Sequence, residues 1–179
     1  MTAPAIETER LILRPHRAGD FEALAAMWQE PAVVKYITGV PSTREASWAR
    51  LLRYAGHWSL LGYGYWAIEE RDGGAFVGEA GFADYRRDID PPLDGMPELG
   101  WIVAPDSHGK GYATEAVRAC LAWGDAHFPA GTRFSCIITP DNAPSLRVAE
   151  KCGFTVACET TYAKDRVLVF ARAAARPSS

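Results

Sequence analysis

Two glycines, Gly109 and Gly111, flank Lys110 where an apolar strand is followed by a long amphipathic helix. Because glycine has no side chain, a bulky anion can closely approach the unpaired backbone N–H groups at the start of this helix. The positive end of the helix dipole adds to the attraction, and Lys110 supplies a full positive charge. The stretch from His108 to Thr114 therefore predicts a binding site for a phosphate or pyrophosphate.

Two other phosphate-binding motifs do not fit this stretch. A P-loop needs serine or threonine after its Gly-Lys pair, where this chain has Gly111, and a dinucleotide loop needs a third glycine in place of Thr114. The run from Glu98 to Glu115 instead resembles the coenzyme A-binding core of the GNAT N-acetyltransferases, whose loop reads Gln/Arg-x-x-Gly-x-Gly/Ala. This resemblance assigns to the coenzyme Trp101, Ile102, Val103, His108, Gly109, Lys110, Gly111, Tyr112, Ala113 and Thr114. His108 departs from the usual first residue, which affects one side-chain contact and leaves the backbone donors in place.

A second motif, Asn142-x-x-Ser145 followed by Glu150-Lys-Cys-Gly-Phe154, lies at the separation that this family shows. The resemblance implies that Asn142 holds the pantetheine arm and that Ser145 lies near the sulfur; the alternative is a helix cap and a first-turn serine. Many relatives place a tyrosine seven residues after the asparagine as a general acid. Here that residue is Ala149, so Ser145, a water molecule or no acid at all must take its place.

The implied reaction is acetyl transfer from acetyl-CoA to a primary amine, by direct attack of the amine on the thioester. An alkylammonium with a pKa of about 10.4 must first lose a proton. We expect Glu98 to accept it, directly or through water; Glu79 and water alone are the alternatives, and Glu98 could instead be a surface charge. In the family a splayed central strand offers backbone N–H groups to the oxyanion, here from Trp101 to Val103.

Hydrophobic periodicity predicts the element order β-α-α-β-β-β-α-β-α-β-β over nearly the whole chain. This is the order of the GNAT fold, a mixed α/β fold with a mostly antiparallel central sheet and flanking helices. The first strand is expected at Glu9 to Pro15, and a mobile loop at Arg86 to Pro97. Ser42 and Glu45 form the pattern of a capping box before the second helix.

The ends of the later elements carry turn signals. Asp72-Gly73 indicates a hairpin, and a last turn is expected near Lys164-Asp165. Gly153 is expected to follow the fourth helix. We expect a single domain over residues 1–179, with 1–8 and 173–179 frayed.

The identity of the acceptor is left open by the sequence. The aromatic residues Trp58, Tyr63, Tyr65, Trp66, Tyr85 and Tyr162 could line a cleft beside Asp88, Asp90 and Asp94, which favours a cationic or aromatic amine. Small-molecule amines and peptide N-termini are both candidates. The opening run Glu-Thr-Glu-Arg-Leu-Ile-Leu-Arg-Pro resembles the branch of ribosomal-protein N-terminal acetyltransferases, although relatives that acetylate other amines begin similarly.

Composition narrows the class of protein. With 179 residues, 48% hydrophobic residues and a net charge of −3, the chain is typical of a globular protein that does not bind nucleic acid. No leader-like or membrane-spanning run is evident, so we expect a cytoplasmic monomer or homodimer. The four cysteines form no Cys-x-x-Cys pair and the histidines are scattered, so buried thiols and no metal site are expected.

Two other functions fit the predicted anion site. One is a non-catalytic acyl-CoA-binding sensor, which would bind the coenzyme without acetylating an amine. The other is a nucleotide-binding module, which would bind ATP or NAD as well as it binds coenzyme A.

Overall fold

The computed structural model describes residues 3–175, which form one eight-stranded sheet with helices on both faces. The strands are β1 (Ile6–Glu7), β2 (Leu11–Arg14), β3 (Tyr65–Glu70), β4 (Phe76–Ala83), β5 (Glu98–Val103), β6 (Arg133–Ile138), β7 (Thr155–Tyr162) and β8 (Asp165–Ala173). The helices are α1 (Phe21–Gln29), α2 (Pro31–Val34), α3 (Arg44–Leu61), α4 (Tyr112–His127) and α5 (Ala143–Lys151), with 3₁₀ turns at Ala18–Asp20 and Pro105–Ser107.

The strand order is β1-β2-β3-β4-β5-β6-β8-β7. Neighbouring strands are antiparallel except β5 and β6, which are parallel and joined through α4. This arrangement confirms the predicted mixed α/β fold with a mostly antiparallel sheet. The expected element order is also present, with β1 and the single-turn helix α2 as additions.

Each face of the sheet has its own hydrophobic core. Against α4 and α5 pack large side chains such as Trp66, Phe82 and Phe134. Against α1 to α3 pack residues that include Leu24 and Leu51. Complete burial of one such side chain stabilises the fold by roughly 1.5–3 kcal/mol. The two cores hold the helices that carry the candidate site firmly against β4 and β5.

The N-terminal segment belongs to the sheet, so the expectation that residues 1–8 fray is wrong for residues 3–8. Ile6 pairs with Leu13, and the indole Nε1 of Trp66 donates a hydrogen bond of 2.8 Å to the Pro4 carbonyl. At the other end, the Ala174 N–H donates to the Thr132 carbonyl at 2.8 Å. Residues 1–2 and 176–179 of the expected frayed ends lie outside the described residues.

The start of α3 differs from the predicted capping box by one residue. Thr43 is the N-cap, and its hydroxyl accepts a hydrogen bond of 3.1 Å from the Ala46 N–H. The Ser42 backbone N–H is engaged by the carbonyl of Trp28 at 2.9 Å. This tertiary contact, invisible in the local sequence, fixes the chain so that the next residue takes the cap.

Several turn predictions are confirmed. The β3–β4 hairpin turns through Asp72-Gly73, and Gly153 follows α5 with φ 81°. The last turn lies one residue earlier than predicted, at Ala163-Lys164, where both φ angles are positive. Within the described residues, no helix has the length and apolar character needed to cross a membrane.

Candidate active site

The strands β5 and β6 separate along their length and open a cleft. Within the described residues their register consists of the pair Glu98–Ser135, supported by a bond of 3.1 Å from the Ser135 N–H to the Pro97 carbonyl. Beyond this pair a cleft of about 930 Å³ opens, lined by residues 99–102 of β5 and 136–138 of β6. The split in the sheet therefore exposes the edge of a central strand.

The N–H groups of Trp101 and Val103 point into this gap. The Ala104 N–H donates to the Val77 carbonyl across β4, and backbone groups alternate in direction along an antiparallel strand. The backbone N–H of Ile102 therefore points toward β4, whereas the backbone N–H groups of Trp101 and Val103 point toward β6. The Val103 carbonyl on this edge accepts a hydrogen bond of 2.8 Å from His108 Nε2.

The loop after β5 has the geometry of an anion site. Gly109 and Gly111 have φ angles of 74° and 81°, the left-handed region that favours glycine. A Cβ on Gly109 would meet nothing within 4 Å. Gly111 is the N-cap of α4, and no side chain of the described residues caps this helix end. The first N–H groups of a 16-residue helix are thus open to a ligand. His108 to Thr114 do not line the cleft itself.

The β1–β2 turn holds this loop in place. Arg10 Nε donates to Glu115 at 2.7 Å and its Nη1 donates to the Lys110 carbonyl at 2.8 Å, while Thr8 donates to Glu115 at 2.7 Å. Lys110 Nζ lies 3.6 Å from a carboxylate oxygen of Glu70. Sequence reasoning missed Thr8 and Arg10 because they lie about 100 residues from the loop that they support.

Asn142 and Ser145 lie at the opposite wall of the cleft. The side-chain oxygen of Asn142 accepts a hydrogen bond of 3.2 Å from the Ser145 N–H, which confirms the predicted helix cap. Ala149, where many relatives have tyrosine, is completely buried. Ser145 is therefore the hydroxyl that α5 offers to the cleft.

Glu98 lines the cleft but is engaged in an ion pair. Arg87 donates two hydrogen bonds to its carboxylate, at 2.6 and 2.7 Å. The side chain of Glu98 is 13% exposed. Both oxygens of this carboxylate thus already accept hydrogen bonds from Arg87, which weakens the case for Glu98 as a base.

Glu79 lies on β4 directly opposite Ile102 and is completely buried. Its Oε1 accepts hydrogen bonds from Trp28 Nε1 at 3.0 Å and from the Tyr54 hydroxyl at 2.5 Å, while Oε2 has no partner among the described residues. Burial raises the pKa of Glu79 from 4.5 to about 7, against the lowering effect of the two donors. Trp28 and Tyr54 separate this carboxylate from the cleft that they line.

Half of the predicted aromatic lining is present in the cleft. Tyr65, Tyr85 and Tyr162 line it. The prediction is wrong for Trp58, Tyr63 and Trp66, which pack with the core on the other face of the sheet, and Asp88, Asp90 and Asp94 do not line the cleft.

Tyr65 constrains the strand beside it, because a Cβ on Gly100 would lie 1.9 Å from the Tyr65 hydroxyl. Gly100 thus lets a phenol approach the backbone of β5.

The cysteines match the prediction of buried thiols, although Cys158 is only half-buried. Cys136 lines the cleft, and burial raises the pKa of its thiol. Among residues 3–175, no three His, Cys, Asp or Glu side chains come together as a metal site would require.

Comparison with known proteins identifies the family. Residues 10–155 match the family model of the GNAT acetyltransferase domain. The chain is 31% identical to the uncharacterized protein YkkB of Bacillus subtilis (strain 168), over 82% of each chain. It is also 31% identical to a GnaT-family protein of Bordetella pertussis, with a TM-score of 0.84 over 96% of this chain and 100% of the other.

A more distant solved structure shares the fold. The ribosomal L7/L12 alpha-N-protein acetyltransferase RimL, solved in complex with coenzyme A, is 17% identical and has a TM-score of 0.77 over 95% of this chain and 98% of its own. The resemblance inferred from the two sequence motifs is confirmed by the match to the domain model. The chain therefore belongs to the GNAT acetyltransferase family and is an acetyl-CoA-dependent N-acetyltransferase.

Proposed function

We propose that this enzyme acetylates a primary amine by direct attack on the thioester of acetyl-CoA, in the cleft between β5 and β6. The observation that carries the proposal is the separation of these strands, which leaves the N–H edge of β5 facing a cleft of about 930 Å³. This cleft has room for a pantetheine arm and an acceptor, because ligand sites are typically about 300–1,000 Å³.

The start of α4 fits the pyrophosphate of the coenzyme. Its uncapped N–H groups and the open space at Gly109 leave room for a bulky anion. Asn142, with its side-chain oxygen occupied by the cap, still has an amide NH₂ to offer to the pantetheine arm. The coenzyme supplies the activated acetyl group, and the residues of the chain hold it along β5.

Trp101 is the proposed donor to the carbonyl oxygen of the acetyl group. Its N–H points into the gap between β5 and β6, and it is held rigidly by the β4 pairing of its neighbours Gly100 and Ile102. A preorganised donor stabilises the negative charge that develops on this oxygen during attack, an effect typically worth about 10²–10³ in kcat.

Glu79 is the proposed proton acceptor, acting through Tyr54. A pKa of about 7 suits a base that works at neutral pH. The acceptor amine can give its proton to the Tyr54 oxygen while the Tyr54 hydroxyl passes its own proton to Glu79 across 2.5 Å. Glu98, paired with Arg87, instead orients that guanidinium at the end of the cleft.

The leaving thiolate needs little help from an acid, because a thiol has a pKa of about 8.5. Ser145 lines the cleft, and its hydroxyl is the proposed hydrogen-bond donor to the sulfur. A route through an acetylated cysteine is disfavoured, because burial raises the pKa of the Cys136 thiol and keeps it protonated.

The test is a steady-state assay that follows release of free coenzyme A in the presence of a panel of primary amines. We expect acetyl-CoA and amine to give intersecting initial-rate patterns, as direct transfer within a ternary complex requires. In Glu79→Gln and Tyr54→Phe, kcat should fall by about 10²-fold or more with acetyl-CoA affinity retained. Parallel patterns, or full activity in both variants, would contradict the proposed mechanism.

A further inference from the structure

The walls of the cleft carry more basic than acidic side chains. Five basic residues line it, namely Lys35, Arg50, Arg53, Arg87 and Arg166. Three acidic residues line it, namely Glu98, Asp141 and Asp165. Arg87 is neutralised by Glu98, and Arg166 pairs with Glu159. The sequence-based expectation of a cleft for a cationic amine therefore needs revision.

Arg50 and Arg53 lie close enough to the proposed proton acceptor, Glu79, for their charges to lower its pKa. They lie three positions apart on α3 and thus project from the same face of that helix. Neither has a carboxylate partner within 4.0 Å among residues 3–175. Two adjacent like charges repel each other, so an anion between them would be stabilised by both.

Arg50 is held in a defined position. Its guanidinium carbon lies 3.5 Å from the centre of the Trp28 ring, and its Nη1 is 3.4 Å from the Ser42 hydroxyl. Among residues 3–175, no other hydrogen-bond partner takes the remaining donors of this planar group, which are thus available to a ligand. Burial lowers the pKa of Arg50, as expected for a partly desolvated cation without an ion-pair partner in the described part of the chain.

The separation between this cation and the proposed base is short. Trp28 contacts Arg50 with its ring face and donates through Nε1 to Glu79 at 3.0 Å. One indole ring therefore separates the proposed anion-binding group from the carboxylate that takes up the proton. The amine delivers its proton to Tyr54, whose hydroxyl donates to the same Glu79 oxygen at 2.5 Å. An acceptor that contacts both Tyr54 and Arg50 must therefore have its anionic group within a few bonds of its amine.

We propose that the acceptor is a small primary amine that carries a carboxylate close to the amine, as an amino acid does, and that Arg50 and Arg53 bind this carboxylate. The proposal rests on the proposed acetyl transfer in the same cleft. The two arginines lie on α3, whereas the coenzyme loop is held by Arg10 and Glu70 at the far end of β5. They should therefore affect the acceptor and not the coenzyme.

The experiment compares each α-amino acid with its own carboxamide, which has the same shape without the negative charge. Ethanolamine phosphate beside ethanolamine tests phosphate as the anion. We expect kcat/KM for the carboxylate form to exceed that for the amide by about tenfold or more, as a charge-assisted hydrogen bond provides. Arg53→Gln and Arg50→Gln should abolish this preference mainly through KM, with Arg50→Lys restoring part of it.

The control is Arg133→Gln, which removes an exposed arginine that does not line the cleft and should keep the preference. Affinity for acetyl-CoA should be unchanged in all four variants. Equal use of acid and amide, equal loss of both in the arginine variants, or preference for ethanolamine phosphate alone would overturn the inference. If amines are acetylated without a preference for the carboxylate form, this inference fails but the proposed acetyl transfer is unaffected. If no amine in the panel is acetylated, the proposed function is contradicted as well.

Discussion

The buried carboxylate of Glu79 should make the stability of this enzyme depend on pH in a way that Glu79→Gln removes. Glutamine has nearly the shape of the protonated side chain but cannot ionise. In the folded protein the pKa of Glu79 is raised from 4.5 to about 7, mainly by burial. Between pH 4.5 and about pH 7, Glu79 is therefore protonated in the folded state and ionised in the unfolded state. Its contribution to the free energy of unfolding of the wild type is thus lost as the pH rises through this range.

The size of the effect follows from the shift. With pKa values of 4.5 unfolded and about 7 folded, the Glu79 contribution to the free energy of unfolding falls by roughly 2.5 kcal/mol between pH 5 and pH 8. Any constant change from replacing an oxygen by an NH₂ group cancels when the two pH values are compared. Glu79→Gln should therefore gain about 2.5 kcal/mol relative to wild type over this range.

The assay is urea unfolding of both proteins at pH 5, 6, 7 and 8, with the free energy of unfolding obtained by linear extrapolation. Tyr54→Phe is the matched control, because it disturbs the same hydrogen bond but keeps the carboxylate. The hydrogen bond from Tyr54 lowers the pKa of Glu79, so its removal should raise this pKa further. The pH dependence of stability should therefore persist in Tyr54→Phe and become larger. A difference between Glu79→Gln and wild type that stays flat from pH 5 to pH 8 would refute the raised pKa.

Four further predictions concern the coenzyme loop, its residue His108, the carboxylate of Glu98 and the cleft cysteine. Gly111→Val should weaken acetyl-CoA binding at least tenfold in calorimetry. Gly131→Val introduces similar left-handed strain at φ 86°, so both variants should lose about 1–2 kcal/mol of stability, but Gly131→Val should not weaken binding. Equal affinity in the two variants would argue against the loop assignment. His108→Gln should retain affinity because glutamine can also donate to the Val103 carbonyl, and its loss would show that the imidazole itself is needed. Glu98→Gln should lower kcat much less than Glu79→Gln, and the reverse order in kinetic assays would restore Glu98 as the base. Cys136→Ala should retain turnover in the same assay, and loss of activity in a folded variant would support an acetylated cysteine.

The sequence predicts best those features that depend on residues adjacent along the chain. The glycine loop, the Asn142 cap and the β3–β4 hairpin each depend on a few consecutive residues, and all three have the expected geometry. The strand β1 was missed because two residues are too few to show a period. The cap at Thr43 was missed because a tertiary contact to the preceding residue decides it.

The chemistry of the carboxylates required the tertiary structure. The sequence favours Glu98 as the base because it shares a strand with the coenzyme-binding residues. Its pairing with Arg87, however, depends on the path of an irregular loop. Glu79 acquires its raised pKa from burial under Trp28 and Tyr54, two residues on different helices. Helical periodicity placed Trp58 on an apolar face but could not tell which side of the sheet that face would cover.

In the proposed mechanism, acetyl-CoA meets its acceptor in the split between β5 and β6. The most direct measurement is a crystal structure with bound acetyl-CoA. We predict pyrophosphate oxygens within about 3 Å of the N–H groups between Gly109 and Thr114, and the acetyl oxygen within the same distance of the Trp101 N–H. A coenzyme bound with its pyrophosphate away from this loop, or with its thioester outside the cleft, would contradict the proposed binding mode.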